Sequence, residues 1–157
     1  MSVISNLRRV IFGGVAVLSV SGAWTVAYAQ LDMVKARQAA MKSFSADGKA
    51  IADYIKGPGD KEAAIKAAND YGVVAAQLSK MWPKGTSAAD MPGVSKAKPA
   101  VWADGAKFTV YFSAMAADSK RLADKIKTGS PLDVRAASAA FAMDNCVSCH
   151  STYRETQ

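Results

Sequence analysis

The only thiols and the only imidazole in this chain belong to two cysteines and one histidine, and all three fall in a single run, Cys146-Val147-Ser148-Cys149-His150. On a helix, residues three and four apart share a face, so both sulfurs project the same way and the imidazole follows directly. Four chemistries use such a group. A redox-active dithiol needs a βαβ setting. A structural zinc site needs a fourth ligand and usually a second cysteine pair, which this inventory lacks. A disulfide in an exported chain explains the cysteines but leaves the histidine to coincidence. The C-x-x-C-H pattern of c-type haem attachment uses all three residues: Cys146 and Cys149 form thioethers to the ring, and His150 ligates the iron from below. The expectation is one haem c per chain.

The elements that carry this run begin after an unusual opening. A short polar stretch ends in Arg8 and Arg9, an apolar run covers Val10 to Val20, and Ala27-Tyr28-Ala29 follows. This is the order of a signal peptide with an A-x-A cleavage site. The run is shorter than the roughly 20 residues a spanning helix needs, although Trp24 and Val26 lengthen it toward an uncleaved anchor. Arg8 and Arg9 resemble a twin-arginine signal only weakly. Cleavage after Ala29 removes two arginines from a net charge of +7 and leaves residues 30–157 as one basic, exported domain. The lysines are dispersed and lack nucleic-acid motifs, so the charge reads as a solvated surface that would steer an acidic redox partner, not a nucleic acid.

Four helices are expected, in an all-α fold. In the first, Asp32 to Lys56, Val34, Met41, Gly48 and Ile55 recur every seven residues, with Gln38, Phe44 and Ile51 between them. Gly57-Pro58-Gly59 stops it, and Asp60 caps a second helix that reaches Trp82. An irregular stretch from Pro83 to Lys98 is long enough to suggest a functional loop. A third helix starts at Pro99 and ends near Gly129. Ser130, Pro131 and Asp133 form a start signal for the fourth, which carries the haem motif. Short connections make each pair antiparallel, giving an up-down-up-down four-helix bundle.

At this point the chain resembles the class II c-type cytochromes, or cytochrome c-prime family, whose haem motif lies on the fourth helix of such a bundle. The likeness runs from Val34 to Arg154. It rests on Arg37-Gln38-Ala39-Ala40-Met41-Lys42, on Trp82-Pro83-Lys84-Gly85-Thr86-Ser87, on Val101-Trp102 with Phe108, and on Cys146 to His150 followed by Tyr153-Arg154. The resemblance implies that Arg37 and Gln38 contact a haem propionate. It also implies that residues around Thr86 and Asp90 close near the ring edge and that Arg154 lies beside the proximal imidazole. Val147-Ser148 departs from the Lys-Ala often found between the family's cysteines, which changes surface charge and not ligation. The remaining methionines Met81, Met91, Met115 and Met143 read as packing or loop residues.

Met41 divides the functional readings. In the family its position faces the distal side of the iron, either as a ligand in six-coordinate electron carriers or as a spectator in five-coordinate proteins that admit nitric oxide or carbon monoxide. The leading expectation is a periplasmic one-electron carrier with Met41 bound to iron; a ring pinned at Cys146 and Cys149 could instead sit too far from Met41 for a bond. The alternative is a gas-binding protein whose apolar distal pocket is lined by Phe44 and Met41. An enzyme is not expected, because peroxidase chemistry needs a distal acid-base pair and the one histidine is proximal. A homodimer is a further possibility. Mass spectrometry of protein taken from the native periplasm should give Gln30 as the first residue; an intact Met1 on membrane-bound material would mean a tethered form instead.

Overall fold

The computed structural model describes residues 21–156. The apolar run of the expected signal peptide lies outside the described residues. Residues 21–29 form the first turns of α1, Ser21–Lys56, which begins well before Asp32 because no proline or glycine pair interrupts the alanine-rich approach to it. Gly57 ends α1 at φ +106°, a left-handed conformation that glycine adopts without a Cβ clash, and donates its N–H to Asp53 and Tyr54 carbonyls at 3.1 and 3.2 Å.

Asp60 starts α2, Lys61–Leu78, by accepting the Ala63 N–H at 2.7 Å. This helix ends at Leu78, short of Trp82, and Met81 and Trp82 belong to the loop instead. Its buried face is mostly alanine, which lets it press on the next long helix. A Cβ added at Gly72 would lie only 2.5 Å from Ser119 Oγ, so the backbones approach where glycine permits it.

The expected third helix is divided. A single turn, α3 (Ala100–Ala103), stops at Asp104, whose backbone leaves helical geometry at φ −99° and ψ 25°; α4 then runs Gly105–Thr128. Gly105 is the cause, since glycine weakens a helix interior by about 1 kcal/mol relative to alanine. Next comes α5, Pro131–Ala142, opened by a full capping box: Ser130 Oγ accepts the Asp133 N–H and Asp133 accepts the Ser130 N–H at 2.9 Å. The fourth helix is not uniform. A wide π turn, Met143–Val147, separates α5 from α6, Ser148–Tyr153.

Together α1, α2, α4 and the α5–α6 rod form an antiparallel four-helix bundle, with no strand among the described residues. An isolated antiparallel bridge between Ala97 and Arg154 ties the long loop to the residue after α6. Leu78, Ile126, Val34 and Val134 are the largest fully buried apolar side chains, each stabilising the fold by roughly 2 kcal/mol. No described helix is long and apolar enough to cross a membrane.

The capping box has a pH signature. Donation from the Ser130 hydroxyl and N–H holds the Asp133 carboxyl below its ordinary 3.8. A depressed carboxyl stabilises the fold above the unfolded-state value, and that stability is lost as pH falls through the folded value. Wild type should therefore exceed Asp133→Asn in thermal stability at neutral pH, with the gap closing in acid; a gap that widens below pH 3.8 would contradict this assignment.

Candidate haem site

A cavity of about 510 Å3 opens between α1, α4 and α6, with the 79–99 loop along one side. That size lies within the range of small-molecule and cofactor sites. From α6 and the wide turn come Cys146, Cys149 and His150; from α1 come Arg37, Gln38 and Met41; Arg154 stands at the end of α6. Seven of the nine residues singled out by sequence thus line one space. Thr86 and Asp90 do not line it. Thr86 is fully buried behind Arg37, while Asp90 accepts the Ser87 N–H and hydroxyl at 3.1 and 2.6 Å and so shapes the loop.

Arg37 is the inward residue of its turn, and not Gln38 as expected: Arg37, Phe44 and Ile51 recur every seven residues, whereas Gln38 is exposed and donates to the Val94 carbonyl at 2.8 Å. The Arg37 guanidinium donates to Thr86 Oγ1 and O at 3.0 Å each, and to Met81 O and Ser95 Oγ at 3.4 and 3.5 Å. Its central carbon sits 4.5 Å from the Trp82 ring centroid, a cation–π contact. Burial lowers its pKa to about 10. A chain of edge-on aromatic contacts continues from Trp82 through Phe108 to Tyr153, at 4.7 and 5.0 Å between centroids, and braces α6 against α4.

Burial raises the Cys146 thiol, and raises Cys149 to about 11 with a further contribution from Cys146. Burial, then the Arg154 charge, lowers His150. Both thiols are therefore uncharged near neutral pH and the imidazole is neutral, with a lone pair free to bind a metal.

A family model described as Cytochrome C' matches residues 32–154, on the frame that carries this cavity. The chain belongs to the cytochrome c' family. It is 29% identical over 149 residues to a cytochrome c' of Rhodopseudomonas palustris (strain ATCC BAA-98 / CGA009), covering 95% of this chain and 97% of that one. The solved cytochrome c' of Rhodobacter sphaeroides superposes with a TM-score of 0.69 at 25% identity, over 82% of this chain and 98% of its own. Another solved cytochrome c', described by a ligand-controlled dimer dissociation, gives 0.70 at 20% identity over 81% and 97%.

Membership makes the cofactor a covalently attached haem c, and the cavity fits one. Four cations line it (Arg37, Lys42, Lys96 and Arg154) and no acid does among the described residues. Among the described residues the buried Arg37 charge has no carboxylate partner and the buried Trp82 Nε1–H has no acceptor. Two haem propionates would supply the missing chemistry, negative charge for Arg37 and an acceptor for Trp82. Cys146 and Cys149 would hold the ring, His150 would bind the iron, and the haem would bring a one-electron Fe(III)/Fe(II) couple. Trp82, Lys42 and Lys96 were not singled out as site residues from sequence. Trp82 reads there as the end of an apolar stripe, and only the proline after it hinted that it leaves the helix.

Haem should remain on the chain through denaturing electrophoresis and acid-acetone extraction. Replacing Cys146 or Cys149 with alanine should weaken retention, and replacing both should abolish it; covalent haem on the double variant would refute the assignment.

Proposed function

We propose that this c-type cytochrome is a one-electron carrier of the periplasm, with His150 as the proximal ligand, Met41 as the distal one, and no enzymatic activity. The observation that carries the reading is the position of Met41: it lines the same cavity as His150 from the opposite part of the fold, α1 against α6. A thioether on iron stabilises the reduced state, raises the potential and excludes diatomic gases. The cation-lined mouth, with Lys42, Lys96 and Arg154, favours acidic redox partner proteins. The absence of any Asp, Glu or second His from the cavity lining, among the described residues, argues against peroxidase chemistry. The export signal read in residues 1–29 supports the periplasmic assignment.

A second reading is favoured by the apolar wall near Met41. Phe44, Val34, Phe112 and Met115 line the cavity with no donor that would discriminate among small gases. If Met41 only packs there, the iron is five-coordinate and binds nitric oxide or carbon monoxide. The relative whose dimer dissociates under ligand control then makes a gas-responsive homodimer the natural form of this alternative. The visible spectrum of reduced protein with and without carbon monoxide separates the two. Electron carriage predicts a low-spin wild type that takes up carbon monoxide only after Met41→Ala. Rapid uptake by wild type, with a high-spin spectrum unchanged by the substitution, would put gas binding first.

A further inference from the structure

We infer that Asn145, through the wide turn it holds, is the positioning residue that keeps Cys149 and His150 on the cavity side of the last helix. The argument begins with the helix phase. A regular α-helix advances about 100° per residue, so Val134 and Phe141, seven apart, lie within about 20° of one another. Both are buried. Continuing regularly, Cys149 would fall about 80° from Phe141, and Tyr153 about 120° from it. Yet Cys149 and Tyr153 line the cavity, and Tyr153 is buried like Phe141. One extra residue taken up in a wide turn cancels about 100° and returns both to within about 20° of Phe141. The turn at Met143–Val147 is that correction, and the Ser148 N–H reaches back five residues to the Met143 carbonyl.

A wide turn shifts backbone donors away from their usual carbonyls, and side chains bond carbonyls at its edge and within it. Asn145 Nδ2 donates to the Phe141 carbonyl at 3.2 Å and to Asp118 Oδ2 on α4 at 2.9 Å. Ser148 Oγ donates to the Asp144 carbonyl. Asn145 is 2% exposed and so has little access to water as a substitute partner. Asp118 also pairs with Arg121, which fixes the carboxylate that anchors Asn145. The amide therefore holds the π turn open and pins it to the neighbouring helix. Without it, the favoured state is a regular helix with the following residues rotated away.

The consequence concerns haem attachment. Each thiol adds across one vinyl double bond of the haem, sulfur joining the inner carbon and hydrogen the terminal carbon; no atom leaves and no electron is exchanged. Both additions need both sulfurs on one side of the ring. If the turn relaxes, Cys146 falls about 140° from Phe141, and it swings out of the cavity together with Cys149 and His150.

The test uses the full chain made together with a haem-attachment system. Asn145→Leu should lower the doubly attached fraction roughly tenfold, the effect expected when a buried carbonyl loses its partner. Intact mass and peptide mapping should find the lost fraction as haem-free chain, because both thiols leave the cavity together. Deleting the exposed Asp144 removes the extra residue, so a regular helix then keeps the phase. The deletion alone should attach haem at both cysteines, and Asn145→Leu in that background should have no further effect. Normal double attachment in Asn145→Leu, equal loss in the deletion background, or loss caused by the deletion alone would each overturn the inference.

Discussion

A guanidinium can leave water only if its donors and its charge are met by the protein, and this bundle is organised around one that does. Arg37 points inward from α1 and is met by the backbone and hydroxyl of Thr86, by Ser95, by the Met81 carbonyl and by the face of Trp82. None of these is a formal negative charge. A hydrogen bond to a charged group contributes roughly 1.5–3 kcal/mol, so the loop that supplies the acceptors is held firmly against α1. The same residue presents its uncompensated charge to the cavity. One interaction thus closes the loop and makes the site electrostatically suited to an anionic cofactor.

The rest of the core is arranged to leave that space open. Along α2 the contact surface is alanine and glycine, so α2 and α4 close tightly on each other. On the other side of the bundle the aromatic residues Trp82, Phe108, Phe112 and Tyr153 are spread around the cavity wall. Small residues bring one pair of helices together, and large ones hold the haem-bearing helix at a distance. This division leaves room for a porphyrin beside the last helix.

Much of this was legible in the sequence because it depends on local rules. The capping box at Ser130, the stop at Gly57 and the cap at Asp60 are set by residues within a turn of one another, and each stands where the sequence puts it. The C-x-x-C-H run was legible because its spacing is itself the chemical requirement. What escaped were features decided by tertiary partners. Arg37 and Gln38 differ by one helical position; the spacing of seven through Arg37, Phe44 and Ile51 already marks Arg37 as the inward one, but a charged side chain is credible there only once its acceptors in a loop some fifty residues away are known. The wide turn left a trace, the phase slip between Phe141 and Tyr153, but a heptad pattern absorbs such a slip unless both ends are known to be buried. The break at Asp104 also had a visible cause in Gly105, which the strong apolar stripe on either side obscured.

The bridge between Ala97 and Arg154 has a consequence in time as well as in space. The Lys98 N–H and the Glu155 N–H complete this clasp with carbonyls of Tyr153 and Lys96, and the Lys98 ammonium reaches Ser151, 53 residues away in sequence. Closing so long a segment is entropically late, and it cannot begin before the residues that follow α6 have been synthesised. Until then the loop has no partner at this end, and the flank of the bundle that receives the porphyrin stays unsealed. The order of synthesis therefore acts as a timer: the cysteines that react with haem emerge just ahead of the residues that shut the door behind it.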